Sequence, residues 1–453
     1  GDFVYPSFSN GYPEGGSPTY YENTSRSMNG YFNLGYSFDD RYLMDFSLRE
    51  NGSSVFGASK RYIGTWSVGL GWNLHKERFI ADHLTWIDFL KLRASIGNPG
   101  NQNFSSSKTL TTFNFQLASM NYFGMGAVLN QLGNPDLDWQ ITLDKNIGID
   151  MTLIDKRLNI TADYYHKVTD PLLINISMPL SSGTSSYLTN MGKQISQGLT
   201  LSASYYIIQK LDQRFSWLVR GNLRTQKTKL DKIGNKLDEL NKSGQGHNTV
   251  RYYNGADPDD IWAVKSAGID PSTGRELFYD KEGNYTYDFS YDNEVICGNT
   301  RPKIEGVIGT SLNYKGFSVG MNFRYQTGAS VFNEALFNKV ENISVSGLNK
   351  NQDKRALYER WQNPGDKVRF KDIANAASTP MSSRFIQKEN VLSMESVYVG
   401  YEFYEGWIKK IGLSNLKIQA SMRDVFRAST IKSERGTLYP FARSLELGLS
   451  FNF

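Results

Sequence analysis

The sequence has a single cysteine and no long apolar run. Cys297 stands alone among 453 residues, so no internal disulfide can form and a disulfide-stabilised secreted domain is excluded. No stretch approaches the roughly 18 consecutive apolar residues that a membrane-spanning helix requires. The start at Gly1 also lacks a basic segment followed by an apolar one, and we interpret it as a break point within a longer protein.

The charged residues and histidines do not indicate nucleic-acid binding, metal binding or catalysis. The 50 basic and 45 acidic residues give a net charge of +5 without a basic stripe, which argues against a nucleic-acid partner. The four histidines do not have the spacing of metal ligands. Because no catalytic constellation is present either, we expect neither an enzyme nor a bound metal or cofactor.

What the sequence does have is alternation of apolar and polar residues. Between Gly316 and Gln326 every second residue is aromatic or aliphatic, with Phe323 among them, and the residues between, such as Asn322, are polar or glycine. This period of two is typical of β-strands with one apolar face. It predicts about thirteen strands, which begin near Tyr31, Arg41, Thr65, Lys91, Ile141, Arg157, Gly198, Phe215, Val307, Phe317, Leu392, Leu416 and Leu445.

Strand length and loop length favour a membrane barrel over a soluble sandwich. The strands run to about ten residues, the length a tilted strand needs to cross a bilayer. Short turns such as Asp39-Asp40 alternate with long connections, which is the arrangement of outer-membrane barrels. We therefore predict an all-β, transmembrane antiparallel β-barrel whose long loops are extracellular, at about 1–29, 98–140, 168–195, 225–305 and 327–391.

In such a barrel the apolar alternates face lipid and the polar alternates face the lumen. Phe323 is then a lipid-facing residue and Asn322 a lumen-facing one. Aromatic side chains near the strand ends are expected to form girdles at the two membrane interfaces. The candidates are Tyr36, Trp66, Trp72, Tyr164, Trp217, Tyr325, Tyr401 and Phe451.

Several motifs resemble the SusC/RagA class of TonB-dependent outer-membrane transporters. Asn134-Pro135-Asp136-Leu137-Asp138-Trp139 is one, and Lys91-Leu92-Arg93-Ala94-Ser95-Ile96-Gly97 is another. Tyr314-Lys315-Gly316-Phe317 and Ser383-Arg384-Phe385-Ile386 follow in the order of that family. Gln140 departs from its pattern, since Glu is usual there. The order of the motifs along nearly the whole chain makes the resemblance specific.

The resemblance implies a 22-stranded barrel with an N-terminal plug. Residues 1–453 would then be its C-terminal portion, with the plug absent from this chain and about nine strands outside it. An odd strand count cannot close a bacterial barrel, which agrees with this placement. The expected location is the outer membrane of a Bacteroidota-like bacterium, which the chain crosses several times.

The same resemblance supplies the expected partners. They are a SusD-like surface lipoprotein that lids the barrel, TonB acting through the missing N-terminal part, the N-terminal remainder of the barrel, and outer-membrane lipid. The terminal Phe453 resembles the signal read by the barrel-assembly machinery. A dimer of transporter–lipoprotein pairs is also compatible with the family.

One loop cluster combines aromatic rings with amide and acid groups. Flat sugar rings stack on aromatics, and sugar hydroxyls pair with Asn and Asp side chains. The alternative is ordinary loop packing and turn chemistry. The candidate ligand-binding residues are Tyr252, Tyr253, Asn254, Asp257, Asp259, Asp260 and Trp262.

The function expected from the resemblance is TonB-dependent import of oligosaccharides. Import of peptides by the same mechanism is the first alternative, because some relatives perform it. A non-transporting surface adhesin or structural barrel is a second alternative, and a soluble glycan-binding β protein is a third. The sequence does not separate glycans from peptides.

Overall fold

The fold is dominated by one large antiparallel sheet. The structure is a computed structural model, and it describes residues 24–54, 61–101, 109–122, 124–178, 184, 186–210, 212–343, 349, 352–372, 374–375, 377–404, 406–431 and 443–453. The first 23 residues of the expected loop 1–29 lie outside the described residues. No helix within the described ranges is both long and apolar enough to span a membrane.

Thirteen strands follow one another in the order of the chain and form the wall, in which each strand pairs with the next. This confirms the predicted number and order. The wall strands are β1 (Ser27–Phe38), β2 (Tyr42–Ser53), β3 (Tyr62–Asn73), β4 (Ile87–Gly97), β5 (Gln140–Leu153), β6 (Leu158–Thr169), β7 (Lys193–Lys210), β8 (Phe215–Asp231), β9 (Ile304–Tyr314), β10 (Phe317–Phe332), β11 (Ile386–Phe403), β12 (Asn415–Ser429) and β13 (Leu445–Asn452).

The wall is open. Within the described residues β1 pairs only with β2 and β13 only with β12, and a two-residue strand, Gly100–Asn101, adds to β5. The turn between β1 and β2 has Asp39 and Asp40 at φ of 53° and 49°, the left-handed conformation that tight hairpins require. Such turns keep neighbouring strands in one continuous register, for example Phe46 between Leu34 and Val68.

One face of the wall is apolar and the other polar, as the alternation predicts. On the apolar face the rings of Tyr42 and Trp72 stack with centroids 6.2 Å apart, and Phe323 and Phe426 lie 6.3 Å apart. On the polar face Asn322 accepts a hydrogen bond from Arg220 at 3.2 Å. The apolar face of the wall is therefore suited to contact with lipid, and the polar face to contact with water.

Several strands are longer than the alternation indicates. β1 already begins at Ser27, within the expected loop 1–29, β8 continues to Asp231, and β10 continues to Phe332. Side chains beyond the apolar belt are buried against loops, as Leu230 shows at 4% exposure. The period-two signal therefore ends while the hydrogen-bond ladder continues, and the loops are shorter than predicted.

The long connections have secondary structure of their own. Two carry hairpins, Thr112–Asn121 with Gly124–Gln131 and Leu173–Ser177 with Ser186–Asn190. The connection 232–303, which we call loop A, contains the helix Asp238–Gly244 and two small sheets. These sheets comprise strands Asp260–Val264, Glu294–Asn299, Ser266–Ile269, Glu276–Tyr279 and Tyr285–Thr286.

The connection 333–385, which we call loop B, contains a π-helical turn at Leu336–Glu341 and a short helix at Arg355–Tyr358. Its hydrophobic core consists of five buried residues, Leu336, Val340, Ala356, Phe370 and Phe385. A second core lies where loop A meets the wall, and it consists of Leu172, Leu230, Ile233 and Leu237. The most completely buried side chains of the described chain are therefore found largely outside the sheet.

Candidate functional site

The predicted ligand cluster lies in loop A, beside the helix Asp238–Gly244. Asn241 from this helix donates to the Tyr252 carbonyl at 2.9 Å and accepts from the Tyr252 amide at 2.8 Å. This two-way amide pairing holds the extended segment that follows against the helix. The Tyr252 ring packs on the core that contains Leu237, so it is a structural residue.

Tyr253 and Asn254 form the accessible part of the cluster. The Tyr253 ring is 39% exposed and lies 4.9 Å from the half-buried Trp262 ring, tilted by 58°. Asn254 is exposed, and its Oδ1 accepts from the Ile233 amide at 2.9 Å. Burial and the negative charge of Glu294 raise the pKa of Tyr253, so its phenol stays protonated at neutral pH.

The three aspartates of the cluster form hydrogen bonds and ion pairs with other residues of the protein. Asp259 forms an ion pair with Arg301, and Asp257 lies 3.8 Å from the same guanidinium. Asp257 Oδ1 also accepts from the Asp259 amide, and Asp260 accepts from the Asp257 amide at 2.9 Å. The carboxylates therefore shape a turn around Arg301, as turn chemistry predicts.

The structure thus brings all seven predicted residues into one region but gives them different surroundings. Tyr253 and Asn254 are open to solvent, and the Trp262 ring packs against that of Tyr253. The indole Nε1 of Trp262 is buried without a hydrogen-bond partner in the described residues. Ligand binding at this cluster stays a prediction, and the geometry narrows its accessible part to the Tyr253–Asn254 corner.

Sequence reasoning missed a buried ion pair directly before the cluster. Arg251 is 1% exposed and donates two hydrogen bonds to Glu294, at 2.7 and 2.8 Å. Arg251 also donates to the Asn248 and Val250 carbonyls, so most of its donors are satisfied. Burial raises the pKa of Glu294, although Arg251 opposes the shift. This pair fixes the backbone from which Tyr252 and Tyr253 project.

A second missed feature joins loops A and B. Arg384 of loop B lies 2.8 Å from Glu276 of loop A and 2.7 Å from Glu341 of loop B. The side chains are 9%, 7% and 0% exposed, respectively. We call these three residues the Arg384 clasp. Both carboxylates raise the pKa of Arg384 against the opposing effect of burial.

Further hydrogen bonds reinforce this junction. The Ser266 amide donates to Ser383 Oγ at 2.9 Å, and Ser382 Oγ donates to Glu276 at 2.5 Å. The Trp361 indole donates to the Pro271 carbonyl at 2.9 Å. Loops A and B therefore form one body above the wall, which we call the loop body. The Tyr253–Asn254 corner belongs to it.

The polar face of the wall carries two adjoining shallow cavities. Their volumes are about 540 and 680 Å³, and both are lined by Pro99, Asp144 and Asn146. Arg93 borders the first cavity and binds Asp150 at 2.6 Å and Asp163 at 3.0 Å. Lys167 borders the second cavity and binds Asp144 at 2.8 Å, so this surface is hydrophilic and several of its charges are paired.

Gly148 makes the Arg93 bridge across three strands possible. A Cβ atom at Gly148 would lie 2.4 Å from Asp163 Oδ1 and 2.9 Å from Arg93 Nη2. The missing side chain therefore leaves the gap through which Arg93 of β4 reaches past β5 to Asp163 of β6. Sequence alternation places Arg93 and Asp163 on the polar face, but it does not indicate this contact.

The terminal strand exposes the predicted assembly residue. Phe453 is 89% exposed, and its ring lies 5.6 Å from that of Phe451 on the same strand end. Recognition of Phe453 by the assembly machinery stays a prediction. Among the described residues, no group of three or more His, Cys, Asp or Glu side chains has an arrangement that could hold a metal ion.

Comparison with known proteins assigns this wall to a family. The family model "TonB dependent receptor-like, beta-barrel" matches residues 1–349. TonB-dependent receptor P39 of Formosa agariphila is 26% identical over 92% of this chain and 44% of its own length. SusC of Bacteroides thetaiotaomicron is 25% identical over 95% of this chain and 44% of its own length.

A solved structure shows the same fold. The structure titled the RagAB peptide transporter superposes with a TM-score of 0.78 at 22% identity, covering 90% of this chain and 45% of that one. The chain spans less than half the length of the curated relatives it matches. The chain therefore belongs to the TonB-dependent receptor-like β-barrel family and forms part of the wall of an outer-membrane barrel.

Proposed function

We propose that this chain is the C-terminal wall of a TonB-dependent importer of oligosaccharides. The observation that carries the proposal is the family match over residues 1–349, combined with an open thirteen-stranded wall whose polar face is lined by paired charges, amides and hydroxyls. A hydrophilic lumen whose charges are largely paired would let hydroxyl-rich solutes pass without strong electrostatic trapping. Energy would come from TonB through a plug that lies outside this chain.

The loop body is the proposed site of first contact with substrate. Tyr253 offers an exposed ring that a sugar can stack on, and Asn254 offers an exposed amide beside it. Because the Arg384 clasp and the Arg251–Glu294 pair hold the surrounding backbone, these two side chains are presented with little ordering cost. A SusD-like surface lipoprotein would close over this body from outside.

Peptide import is the second candidate. The titles of the superposing RagAB structures name a peptide transporter and a peptide importer. Aromatic rings and amides also bind peptides, so the Tyr253–Asn254 corner does not separate the two substrate classes. The substrate is therefore the part of this proposal that an experiment decides.

The deciding experiment uses the complete transporter with its lipoprotein. Calorimetric titration with a panel of neutral oligosaccharides and a panel of short peptides should show binding to the oligosaccharides. The Tyr253→Ala variant should bind them about five- to tenfold more weakly, because one aromatic contact contributes roughly 1–1.4 kcal/mol. Tyr358→Ala is the matched control, since Tyr358 is a loop tyrosine with 76% exposure outside the cluster.

The outcomes are distinct. Binding of peptides alone would transfer the proposal to the second candidate. Binding of neither class, with intact folding, would favour an adhesin or structural barrel. Equal affinities of wild type and Tyr253→Ala for oligosaccharides would remove the Tyr253–Asn254 corner from the proposed site while leaving import in place.

A further inference from the structure

The connection between β11 and β12 contains an amphipathic turn that the barrel wall does not need. It comprises the helix Trp407–Lys410 and the residues up to Leu413, and we call 406–413 the turn helix. Within it, Gly406 and Gly412 lie on either side of the helix Trp407–Lys410 at φ of 77° and 80°, a conformation that favours glycine and lets the chain bend sharply at both ends. Four other connections at this end have only two to four residues, for example the two between Tyr314 and Phe317, so the added helix calls for an explanation.

The turn helix continues the lipid-facing surface. The Trp407 ring lies 5.8 Å from Phe403, whose ring lies 4.6 Å from Tyr401. Tyr401 is 42% exposed on the apolar face and pairs with Phe317 and Ile418 of the neighbouring strands. The aromatic row therefore runs without a break from the membrane-facing wall onto the helix.

The turn helix is anchored at one residue and open at the others. Ile408 is fully buried, whereas Trp407 and Ile411 are 52% and 59% exposed. Lys409 and Lys410 are exposed, and neither has an acidic partner within the described residues. Two apolar side chains beside two cations form the composition of a segment that lies at a membrane surface.

The position along the barrel indicates which surface this is. Ser414, directly after the turn helix, donates its amide to Asn452 of the terminal strand at 2.8 Å. The turn helix therefore lies at the end of the wall that has the short turns and the final residue, which is the periplasmic end of bacterial barrels. The adjacent lipid is the inner leaflet of the outer membrane.

We propose that the turn helix binds anionic phospholipid at the periplasmic membrane interface. Trp407 and Ile411 enter the headgroup region, and the Lys409 and Lys410 ammonium groups donate to lipid phosphates. The occupant is an anionic phospholipid such as phosphatidylglycerol. Continuity of the row Tyr401–Phe403–Trp407 with the lipid-facing wall favours lipid over a periplasmic protein, and so do the two cations beside it, which form no ion pair within the part of the chain that the structure describes.

A second turn repeats the arrangement on another part of the wall. Between β3 and β4 the short helix Arg78–Ala81 presents Phe79 at 57% exposure beside the exposed Arg78. Glu77, just before it, accepts hydrogen bonds from Tyr42 and Trp72 of the apolar face, both at 3.0 Å. The same pairing of a cation with an exposed aromatic residue thus follows a lipid-facing aromatic row at the same end of the wall.

The first test measures where Trp407 lies. The full-length transporter is reconstituted into phosphatidylcholine vesicles that contain one quarter phosphatidylglycerol, with a fraction of the lipids brominated near the glycerol end of the chains. Lipid quenching of tryptophan fluorescence should fall in Trp407→Phe relative to wild type. Trp361→Phe, a loop B control whose indole is held by Pro271, should leave the quenching unchanged. Quenching unaltered by Trp407→Phe would overturn the proposal.

The second test measures lipid retention by native mass spectrometry of the full-length protein. Lys409→Gln with Lys410→Gln should weaken phosphatidylglycerol binding by about fivefold per lysine, since each surface cation contributes roughly that factor toward anionic lipid. Retention of phosphatidylcholine should not change. The control pair Lys236→Gln and Lys281→Gln removes two exposed loop A lysines and should have no effect.

Equal loss from both pairs would show nonspecific charge attraction and would overturn the proposal. So would protection of Trp407 from aqueous iodide only after a periplasmic extract is added, because that result identifies a protein as the occupant. A lipid preference that disappears only in the Lys409 and Lys410 variant supports the turn helix as a lipid site.

Discussion

The wall and the loop body differ in where their apolar side chains lie. In the wall, large apolar side chains remain exposed, as Leu447 at 79% and Leu34 at 52% show, because lipid takes the place of a protein core. In the loop body, apolar side chains such as Val340 and Phe385 are at most 1% exposed, and water surrounds the outside. The wall is thus stabilised by its hydrogen-bond ladder within lipid, and the loop body by hydrophobic cores and buried ion pairs.

This difference predicts that the loop body can be opened without damage to the wall. Arg384→Met removes the cation of the Arg384 clasp and leaves Glu276 and Glu341 buried without their cationic partner, with only hydroxyl donors such as Ser382 remaining. We expect the local opening free energy of loops A and B to fall by about 3–5 kcal/mol. Hydrogen exchange should accelerate in both loops and stay unchanged in β10 and β11.

The clasp prediction has a pH signature and a matched control. Buried carboxylates without a partner have raised pKa values and prefer to be protonated, so acidification should restore part of the lost protection in Arg384→Met. Arg369→Met removes an exposed arginine that lies 3.9 Å from Glu359. It should change the local opening free energy of loops A and B by less than about 1 kcal/mol. Uniform acceleration across the wall would contradict the separation of the two regions.

The second prediction concerns the two faces of the wall. Phe323→Arg places a cation on the apolar face next to Phe426 and should destabilise the barrel by about 2–4 kcal/mol if Phe323 lies near the bilayer midplane. Urea titration of the full-length protein folded into short-chain lipid bilayers provides the measurement.

Asn322→Arg is the neighbouring change on the polar face and should cost much less. Its Oδ1, however, accepts from Arg220, so a second arginine there would add like-charge repulsion. Ser202→Arg is the cleaner control, because Ser202 is an exposed polar-face residue between Thr161 and Asn222. Equal penalties for Phe323→Arg and Ser202→Arg would refute the assignment of the two faces.

A third prediction concerns cooperation between strands on the polar face. Gly148→Ala should disrupt the Arg93–Asp163 contact, because the new methyl group would occupy the gap between them. We expect a loss of about 1–2 kcal/mol in the same folding titration. Gly448→Ala is the control, since a Cβ there has nothing nearer than 3.8 Å. A result of equal size in both variants would mean that the bridge contributes nothing to stability.

The wall could be predicted from the sequence because its signal is local. Each strand can be recognised by alternation within about ten residues, and short turns such as Lys315-Gly316 determine which strands are neighbours. The number of strands, about thirteen, and their order in the sheet were predicted from these features. The strand ends did not, because outside lipid both faces of β8 and β10 become buried or polar and the alternation is lost.

The loop body could not be predicted in the same way. The Arg384 clasp joins residues 108 and 43 positions apart, and no short-range pattern encodes such a contact. In the candidate site, composition located the cluster around Tyr253 but could not assign the aspartates to Arg301, 42 positions away from Asp259. The exposed fraction of each side chain separates binding candidates from turn residues, and only the folded loop determines it.

The smallest effect that we expect is the response of a single exposed turn of loop A to pH. Asp270 accepts hydrogen bonds from the Tyr287 hydroxyl and from the Ser272 amide and hydroxyl, and these bonds hold its pKa well below the ordinary value. A lowered pKa means that the stabilisation is complete above the ordinary pKa of about 4 and is lost only as pH falls through the lower, folded value. Amide protection of Gly274, which donates to the Asp270 carbonyl at 2.8 Å, should therefore be constant from neutral pH down to about 4.

Tyr287→Phe sharpens this expectation, because the hydroxyl of Tyr287 is the largest cause of the shift. Without it, the pKa of Asp270 should rise toward its ordinary value, and protection of Gly274 should begin to decline at a higher pH than in the wild type. Tyr285→Phe removes another exposed loop A hydroxyl, one that does not contact Asp270, and should leave the profile unchanged. Identical pH profiles for Tyr287→Phe and wild type would show that the bonds from the Ser272 amide and from the Ser272 and Thr273 hydroxyls are sufficient to set the acidity of Asp270.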